Sequence, residues 1–88
     1  MNIKGLDFHQ TCVAFPEQYD VEYNGEIAGY VRLRGGILRV DYPNCGDETI
    51  YITNVRDGNC GMFESQEERE QYLNIAAEKI LEKMSKLC

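Results

Sequence analysis

Positive charge and histidine are both scarce in this sequence. Nine lysines and arginines stand against 15 aspartates and glutamates, so the 88-residue chain has a formal net charge of −6. This balance argues against the broad attraction to phosphate on which non-specific nucleic-acid binding depends. His9 is the only histidine, so a cysteine nucleophile would have a single candidate general base. The sequence therefore predicts no enzymatic activity and no bound cofactor.

Long apolar runs and phosphate-binding glycine motifs are missing as well. No segment approaches the roughly 20 apolar residues that a membrane-spanning helix needs. The first ten residues, MNIKGLDFHQ, contain no apolar signal core. Gly35-Gly36 lies between two strand-like runs and does not open a helix, so it is explained by turn formation. We therefore expect a single cytoplasmic domain over 1–88 with no membrane partner.

The cysteine spacing does not match a common zinc site. No Cys-x-x-Cys pair occurs among Cys12, Cys45, Cys60 and Cys88, and the closest potential ligands are His9 and Cys12. The predicted sheet places Cys45 and Cys60 at opposite ends, so one tetrahedral site cannot hold both. Two cysteine pairs, or a trio of His9, Cys12 and Cys60, remain as redox or zinc alternatives. A cytosolic protein favours four reduced thiols, so we predict no metal site.

The strongest strand signal is a β-hairpin over 25–42. Gly35-Gly36 separates two alternating runs, and a two-glycine loop favours a primed turn. That turn pairs Arg34 with Ile37 and, further along, Tyr30 with Asp41. Alternation then separates an apolar face from a polar face. The apolar face comprises Ile27, Val31, Leu33, Leu38, Val40 and Tyr42, and the polar face comprises Tyr30, Arg32, Arg34, Ile37, Arg39 and Asp41.

The preceding turn is predicted to be a three-residue loop that ends in a left-handed Gly25. This loop pairs Val21 with Ile27 and keeps the neighbouring carboxylates off the apolar face, where leaving them unpaired would be costly. The same register pairs Tyr19 with Gly29. We therefore expect the Tyr19 ring to cover the bare backbone of Gly29.

A further strand and a long helix complete the predicted fold. Residues 48–55 alternate, which predicts Ile50 and Ile52 on one side and Tyr51 beside Tyr30 and the arginines. Ser65 and Glu68 form a capping box, and a helix over 65–86 follows with apolar residues at helical spacing. Its apolar stripe comprises Leu73, Ala76, Ala77, Ile80, Leu81, Met84 and Leu87. We predict an α+β fold: a four-stranded antiparallel meander over 19–55, the helix on one face, and an irregular arm over 1–18.

The sheet face away from the helix is the predicted partner-binding surface. It combines flat rings with forked donors, a mixture that is enriched at protein interfaces. The predicted contacts are Tyr30, Arg32, Arg34, Arg39 and Tyr51. In the simpler interpretation, these side chains only solvate the sheet and pair with Asp41 or Glu26.

Two other interpretations use the same chain differently. An acidic helix can imitate a phosphate track and dock to a basic groove, which makes Glu67, Glu70 and Glu78 second candidates for partner contacts. Alternatively, the arginines and tyrosines of the sheet could bind single-stranded nucleic acid by phosphate pairing and base stacking. The acidic net charge makes this direct binding the less favoured alternative.

Most of the chain resembles small uncharacterised proteins encoded in phages and prophages of gut Firmicutes. The likeness lies in YDVEYNGEIAGYVRLRGGILRVDYP, in CGDETIY after it, and in the acidic EEREQYL segment. Small acidic phage proteins of this kind include inhibitors of bacterial immunity, anti-CRISPR proteins among them. The resemblance implies an accessory protein that binds a host protein, with a host nucleic-acid enzyme or defence complex as the expected target of inhibition.

Overall fold

The computed structural model describes residues 1–12, 16–55 and 62–86. Six strands form one antiparallel sheet in chain order, and a single helix follows in these residues. The elements are β1 (Asn2–Ile3), β2 (Leu6–Gln10), β3 (Glu17–Tyr23), β4 (Glu26–Arg34), β5 (Ile37–Tyr42), β6 (Glu48–Asn54) and α1 (Gln66–Lys86). The predicted antiparallel α+β fold with a C-terminal helix is confirmed, but the predicted number of four strands is wrong. Within the described ranges, no helix is long and apolar enough to cross a membrane.

The predicted irregular arm over 1–18 is wrong, because it contains β1, β2 and the start of β3. Leu6 and Phe8 are buried and alternate with polar residues, and Phe8 lies opposite Val21 of β3. Two apolar residues at strand spacing give only a weak sequence signal. Pairing with β3 supplies the backbone hydrogen bonds that make this segment a strand.

The turn between β3 and β4 also differs from the prediction. Asn24-Gly25 forms a two-residue turn in which both residues are left-handed, with φ values of 53° and 83°. Ile27 consequently faces away from the helix and is 42% exposed, instead of joining the core. The pairing then shifts by one residue, so that Val21 lies opposite Gly29. The bulge predicted at Gly25 is therefore wrong: the extra residue is Ala28, inside β4, and it still directs Val21 to the core.

Gly29 is the point of closest approach between the sheet and α1. A Cβ atom at this position would lie 2.6 Å from Cδ1 of Ile80. The predicted cover by Tyr19 is wrong, because Tyr19 pairs with Val31. The side chain of Ile80 takes the space above Gly29, so a larger residue here would require the end of that side chain to move.

The predicted orientation of β6 is wrong. Val40 lies opposite Tyr51, and the pairing then shifts by one residue, so that Asp41 lies opposite Thr49. Because Val40 is a core residue, this register turns Tyr51 towards the helix. Ile52 lies opposite Arg39 on the other side and is 60% exposed. The two faces are the reverse of the prediction over 51–54, whereas Ile50 packs against the core as predicted.

Helix α1 begins as the sequence predicts. The backbone amide of Glu68 donates to Oγ of Ser65 at 3.0 Å, and the Glu68 carboxylate accepts from the amide of Glu64 at 3.0 Å. These two bonds confirm the capping box, with the return bond one residue earlier than expected. The helix buries Leu73, Ala76, Ala77 and Ile80 against the sheet. Leu87, also predicted for this stripe, lies outside the described residues.

Candidate functional site

The sheet face opposite α1 carries a group of basic and apolar side chains near the Gly35-Gly36 turn. We call it the arginine patch and define it as Arg32, Arg34, Ile37, Arg39 and Ile52. The strand register pairs Arg32 with Arg39, Arg34 with Ile37, and Arg39 with Ile52. Side chains of one face therefore lie side by side across three strands. The three arginines that the sequence predicted as contacts are thus brought together.

The charges of the arginine patch are only partly neutralised. Arg39 forms a salt bridge to Asp41, with Nη2 3.2 Å from Oδ2. Neither Arg32 nor Arg34 has a carboxylate within 4.0 Å in the described part of the chain. Arg32 and Arg39 also face each other directly, and like charges in that position destabilise a sheet. Among the described residues, the patch therefore keeps two guanidinium groups that form no salt bridge.

Asp41 closes the other end of this face. Its carboxylate is 1% exposed and accepts hydrogen bonds from the Gly46 amide at 3.0 Å and the Thr49 hydroxyl at 2.8 Å. These bonds tie the turn after β5 to the sheet. Nε of Arg39 is buried beside this network and has no hydrogen-bond partner among the described residues. Asp41 therefore bounds the arginine patch on the side away from Gly35-Gly36.

Tyr30 lies on the predicted face but is not available for contact. It is only 6% exposed, and its hydroxyl donates to Oε1 of Gln18 at 2.6 Å. Burial, followed by the neighbouring Cys45 side chain, raises the pKa of Tyr30. Its prediction as an exposed contact is therefore wrong. The neighbouring Gln18 and the turn that carries Cys45 leave it little exposed surface.

Tyr51 lies on the opposite side of the sheet from the arginines. It is half-buried and packs against the core, and Nζ of Lys79 lies 5.3 Å from the centroid of its ring. The prediction that Tyr51 joins the arginines is wrong, because the register of β6 turns Tyr51 to the helix side of the sheet. The patch thus presents isoleucines where the sequence predicted aromatic rings. Ile37 and Ile52, at 45% and 60% exposed, were not predicted as contacts.

The acidic residues of α1 form the second candidate surface. Glu67, Glu70 and Glu78 are all exposed, as expected for the solvent side of the helix. Glu78 lies 3.7 Å from Nζ of Lys4, and Glu70 accepts a long hydrogen bond of 3.4 Å from Gln66. These exposed partners are weakly held. The structure leaves the three carboxylates accessible but does not gather them around one point.

A buried carboxylate at the start of β3 was missed by the sequence analysis. Glu17 is 1% exposed and accepts hydrogen bonds from Nε of Arg69 at 2.6 Å, the Tyr19 hydroxyl at 2.5 Å and the Phe63 amide at 3.2 Å. Burial alone would raise the pKa of Glu17, but these hydrogen bonds, that of Arg69 foremost, hold it below 4.5. Burial and the Glu17 carboxylate also raise the pKa of Tyr19. This cluster joins the helix to the sheet and lies on the side away from the patch.

The metal alternatives can be compared only with the described ranges. Nowhere in 1–12, 16–55 and 62–86 do three potential metal ligands come together. Nε2 of His9 lies 3.5 Å from the Glu22 carboxylate on the open face. Cys60 and Cys88 fall outside those ranges, so the proposed cysteine pairs and the trio of His9, Cys12 and Cys60 stay predictions.

The fold and the patch define a small α+β protein with one sheet face covered by a helix and the other partly open and basic. Searches against protein-family models, curated proteins and solved structures find no match to this chain. Its function is therefore argued from the geometry of the arginine patch.

Proposed function

We propose that this protein is a non-enzymatic binding factor that docks a protein partner through the arginine patch. The observation that carries the proposal is that Arg32 and Arg34, which have no salt bridge within the described ranges, share one face with the exposed side chains of Ile37 and Ile52. Arginine at the rim of an apolar surface is typical of protein interfaces. A chain of net charge −6 that concentrates its free arginines on one face supports a local role for them.

The partner surface that fits this patch is apolar at its centre and acidic at its border. Carboxylates would pair with the forked donors of Arg32 and Arg34, and apolar side chains would cover Ile37 and Ile52. Arg39 is held by Asp41, so it contributes less to recognition than the other two arginines. Charge complementarity would raise the association rate, and burial of the isoleucines would slow dissociation.

The resemblance to small phage proteins supports a bacterial host protein as the partner. Binding over a functional surface of a host nucleic-acid enzyme or defence complex would make this protein an inhibitor, as anti-CRISPR proteins are. This part of the proposal depends on the resemblance alone, whereas the binding surface depends on the structure.

Direct binding of single-stranded nucleic acid is the second candidate function. The guanidinium groups of Arg32 and Arg34, which form no salt bridge with any described residue, favour it, because they could neutralise phosphates. The placement of Tyr30 and Tyr51 weighs against it, since neither ring is exposed beside the arginines for base stacking. A protein partner is therefore the better supported of the two.

A paired capture experiment tests the protein-binding proposal. Tagged wild-type protein, the R32E/R34E variant and a K4E/K86E control are incubated with a bacterial host lysate, and bound proteins are identified by mass spectrometry. Both variants change the net charge by the same amount, but Lys4 and Lys86 lie outside the patch. We expect one protein to be captured by the wild type and the control and to be lost with R32E/R34E. Its retention by R32E/R34E would exclude the patch, and its loss with E67Q/E70Q/E78Q would move the site to the helix.

A salt titration separates the two candidate functions. Binding of labelled single-stranded oligonucleotides is measured by fluorescence anisotropy across a series of salt concentrations. The protein-binding proposal predicts no saturable signal. Micromolar binding that weakens steeply with salt, and that is lost in R32E/R34E, would replace it with the nucleic-acid function.

A further inference from the structure

The outer edge of β6 presents backbone groups that no described strand pairs with. β6 is the last strand in the sheet order, and the amide of Val55 donates to the Gly36 carbonyl at 2.8 Å. In an antiparallel ladder, inward and outward groups alternate along the strand. Val55, Thr53 and Tyr51 therefore bond towards β5, and the amide and carbonyl of Ile52 point outwards.

A β-bulge interrupts this edge at Ile50, but the strand has few of the other features that protect exposed edges. Residues 49–54 read TIYITN, with no lysine, proline, glycine or charged residue. The one charged residue of β6, Glu48, already forms a salt bridge of 2.9 Å to Lys83. In the middle of the strand lies Ile52, which is 60% exposed. Uncharged segments rich in β-branched residues readily pair with a further strand.

We propose that two copies of this protein pair through β6 in antiparallel orientation, with the two-fold axis at Ile52. Ile52 of one copy would then bond to Ile52 of the other through both amides and carbonyls. Glu48 lies at the end of the strand and is neutralised by Lys83, so β6 itself brings no unpaired charge to the axis. A second copy is the occupant that matches this edge residue for residue, because an uncharged strand meets itself without like-charge contacts.

The opposite edge of the sheet explains why the assembly would stop at two copies. That edge is β1, which is only two residues long, Asn2–Ile3. A strand so short offers too few hydrogen bonds to pair with β6 of another copy and build a filament. The β6 pairing is self-complementary and therefore closes on itself.

The two-fold axis runs perpendicular to the sheet, so the helix-covered faces of the two copies lie on the same side of the joined sheet. Both copies of α1 lie on one side, and both arginine patches lie on the other, next to the axis. On the helix side, Tyr51 would contact Thr53 of the second copy. On the open side, the two Ile52 side chains would contact each other side by side across the axis, and their outer surfaces would stay part of the two arginine patches. The dimer does not depend on the proposed function, and the two can fail separately.

Sedimentation velocity and light scattering test the proposal on the full chain. The wild type is measured from about 1 µM to about 1 mM, together with Ile52→Lys and the control Ile27→Lys. Both isoleucines are exposed on the same face, but Ile27 lies in β4, away from the edge. We expect a reversible monomer–dimer equilibrium in the wild type and in Ile27→Lys. Ile52→Lys places two like charges at the axis, so its dissociation constant should rise by about tenfold or more.

Hydrogen exchange identifies the contact. The Ile52 amide should gain protection as the wild-type concentration rises, whereas the amide of Ile27 should not change. A wild type that stays monomeric at about 1 mM would overturn the proposal and leave the edge for a strand of another protein. A dimer that persists in Ile52→Lys, or assemblies larger than two copies, would overturn the pairing at β6.

Discussion

On the helix side of the sheet, Leu33 and Leu38 lie opposite each other with no exposed surface, whereas their neighbours Arg34 and Ile37 lie open on the other side. The same two strands thus build two different surfaces one residue apart. The covered side is closed by apolar packing and by the ion pair of Glu17 and Arg69. The open side is closed only at one end, by Asp41. The interactions that stabilise the fold are therefore concentrated on one face of the sheet, which leaves the other face free to bind.

The largest expected effect comes from truncating neighbouring residues on the two faces. Leu38→Ala should lower the free energy of unfolding by about 3 kcal/mol, because it leaves a cavity in the core. Its matched control, Ile37→Ala, removes an exposed side chain and should cost less than about 0.5 kcal/mol. Urea denaturation followed by circular dichroism measures both. Equal losses would show that side chains on the open face stabilise the fold as much as those in the core.

Removing the cation of the buried ion pair should have the next largest effect. Arg69→Met leaves the Glu17 carboxylate buried with only two neutral hydrogen-bond donors, which should cost about 2 kcal/mol. Lys83→Met is the control, because Lys83 lies on the same helix and its partner Glu48 is largely exposed. That control should lose less than about 1 kcal/mol. Similar unfolding midpoints for the two variants in urea would contradict a special role for Glu17.

The same cluster predicts a pH dependence. The folded protein holds the pKa of Glu17 below 4.5, so the carboxylate stabilises the fold above that pH and loses its contribution as the pH falls further. Glu17→Gln should be less stable than the wild type by about 1–2 kcal/mol at neutral pH. The difference should shrink as the pH falls below 4.5, because the wild-type side chain then becomes protonated as well. Urea titrations at several pH values check this, and a constant difference would speak against it.

A smaller effect is expected where the sheet meets the helix. Gly29→Ala should cost about 1 kcal/mol, because the added Cβ would lie 2.6 Å from Cδ1 of Ile80. Ile80→Val removes that Cδ1 atom and should cost about 1 kcal/mol by itself. The double variant should be more stable than the sum of the two losses implies, since the shorter side chain makes room. Strictly additive losses in urea denaturation would show that the two residues do not compete for the same space.

Sequence reasoning succeeded where structure is decided within a few residues. The Gly35-Gly36 turn fixes the pairing of β4 with β5 over 30–41, and the hydrogen bonds of Ser65 and Glu68 fix the start of α1. It failed where one extra residue in a strand reverses the side of the sheet to which the following side chains point. The register shift at Val40/Asp41 exchanges the faces of β6 from Tyr51 onwards. Nothing in the alternation of isoleucine with threonine and tyrosine reveals this shift.

The sequence predicted the three arginines of the candidate site as contacts but not its two exposed isoleucines. Arg32, Arg34 and Arg39 share a face because strand parity alone requires it. The exposure of Ile52 depends on the register of β6, and the burial of Tyr30 depends on Gln18 and on a turn that folds back over the sheet. The pairing of Glu17 with Arg69 joins residues 52 positions apart, which local spacing does not indicate.

The strict neighbour-to-neighbour order of the sheet bears on how the chain leaves the ribosome. Each strand can pair with the one made just before it, so the sheet can grow by short loop closures as synthesis proceeds. Its cover, α1, is translated after every strand. The apolar face of the sheet therefore stays uncovered in the nascent chain until α1 has been synthesised. During this interval the chain is most exposed to chaperones and to aggregation.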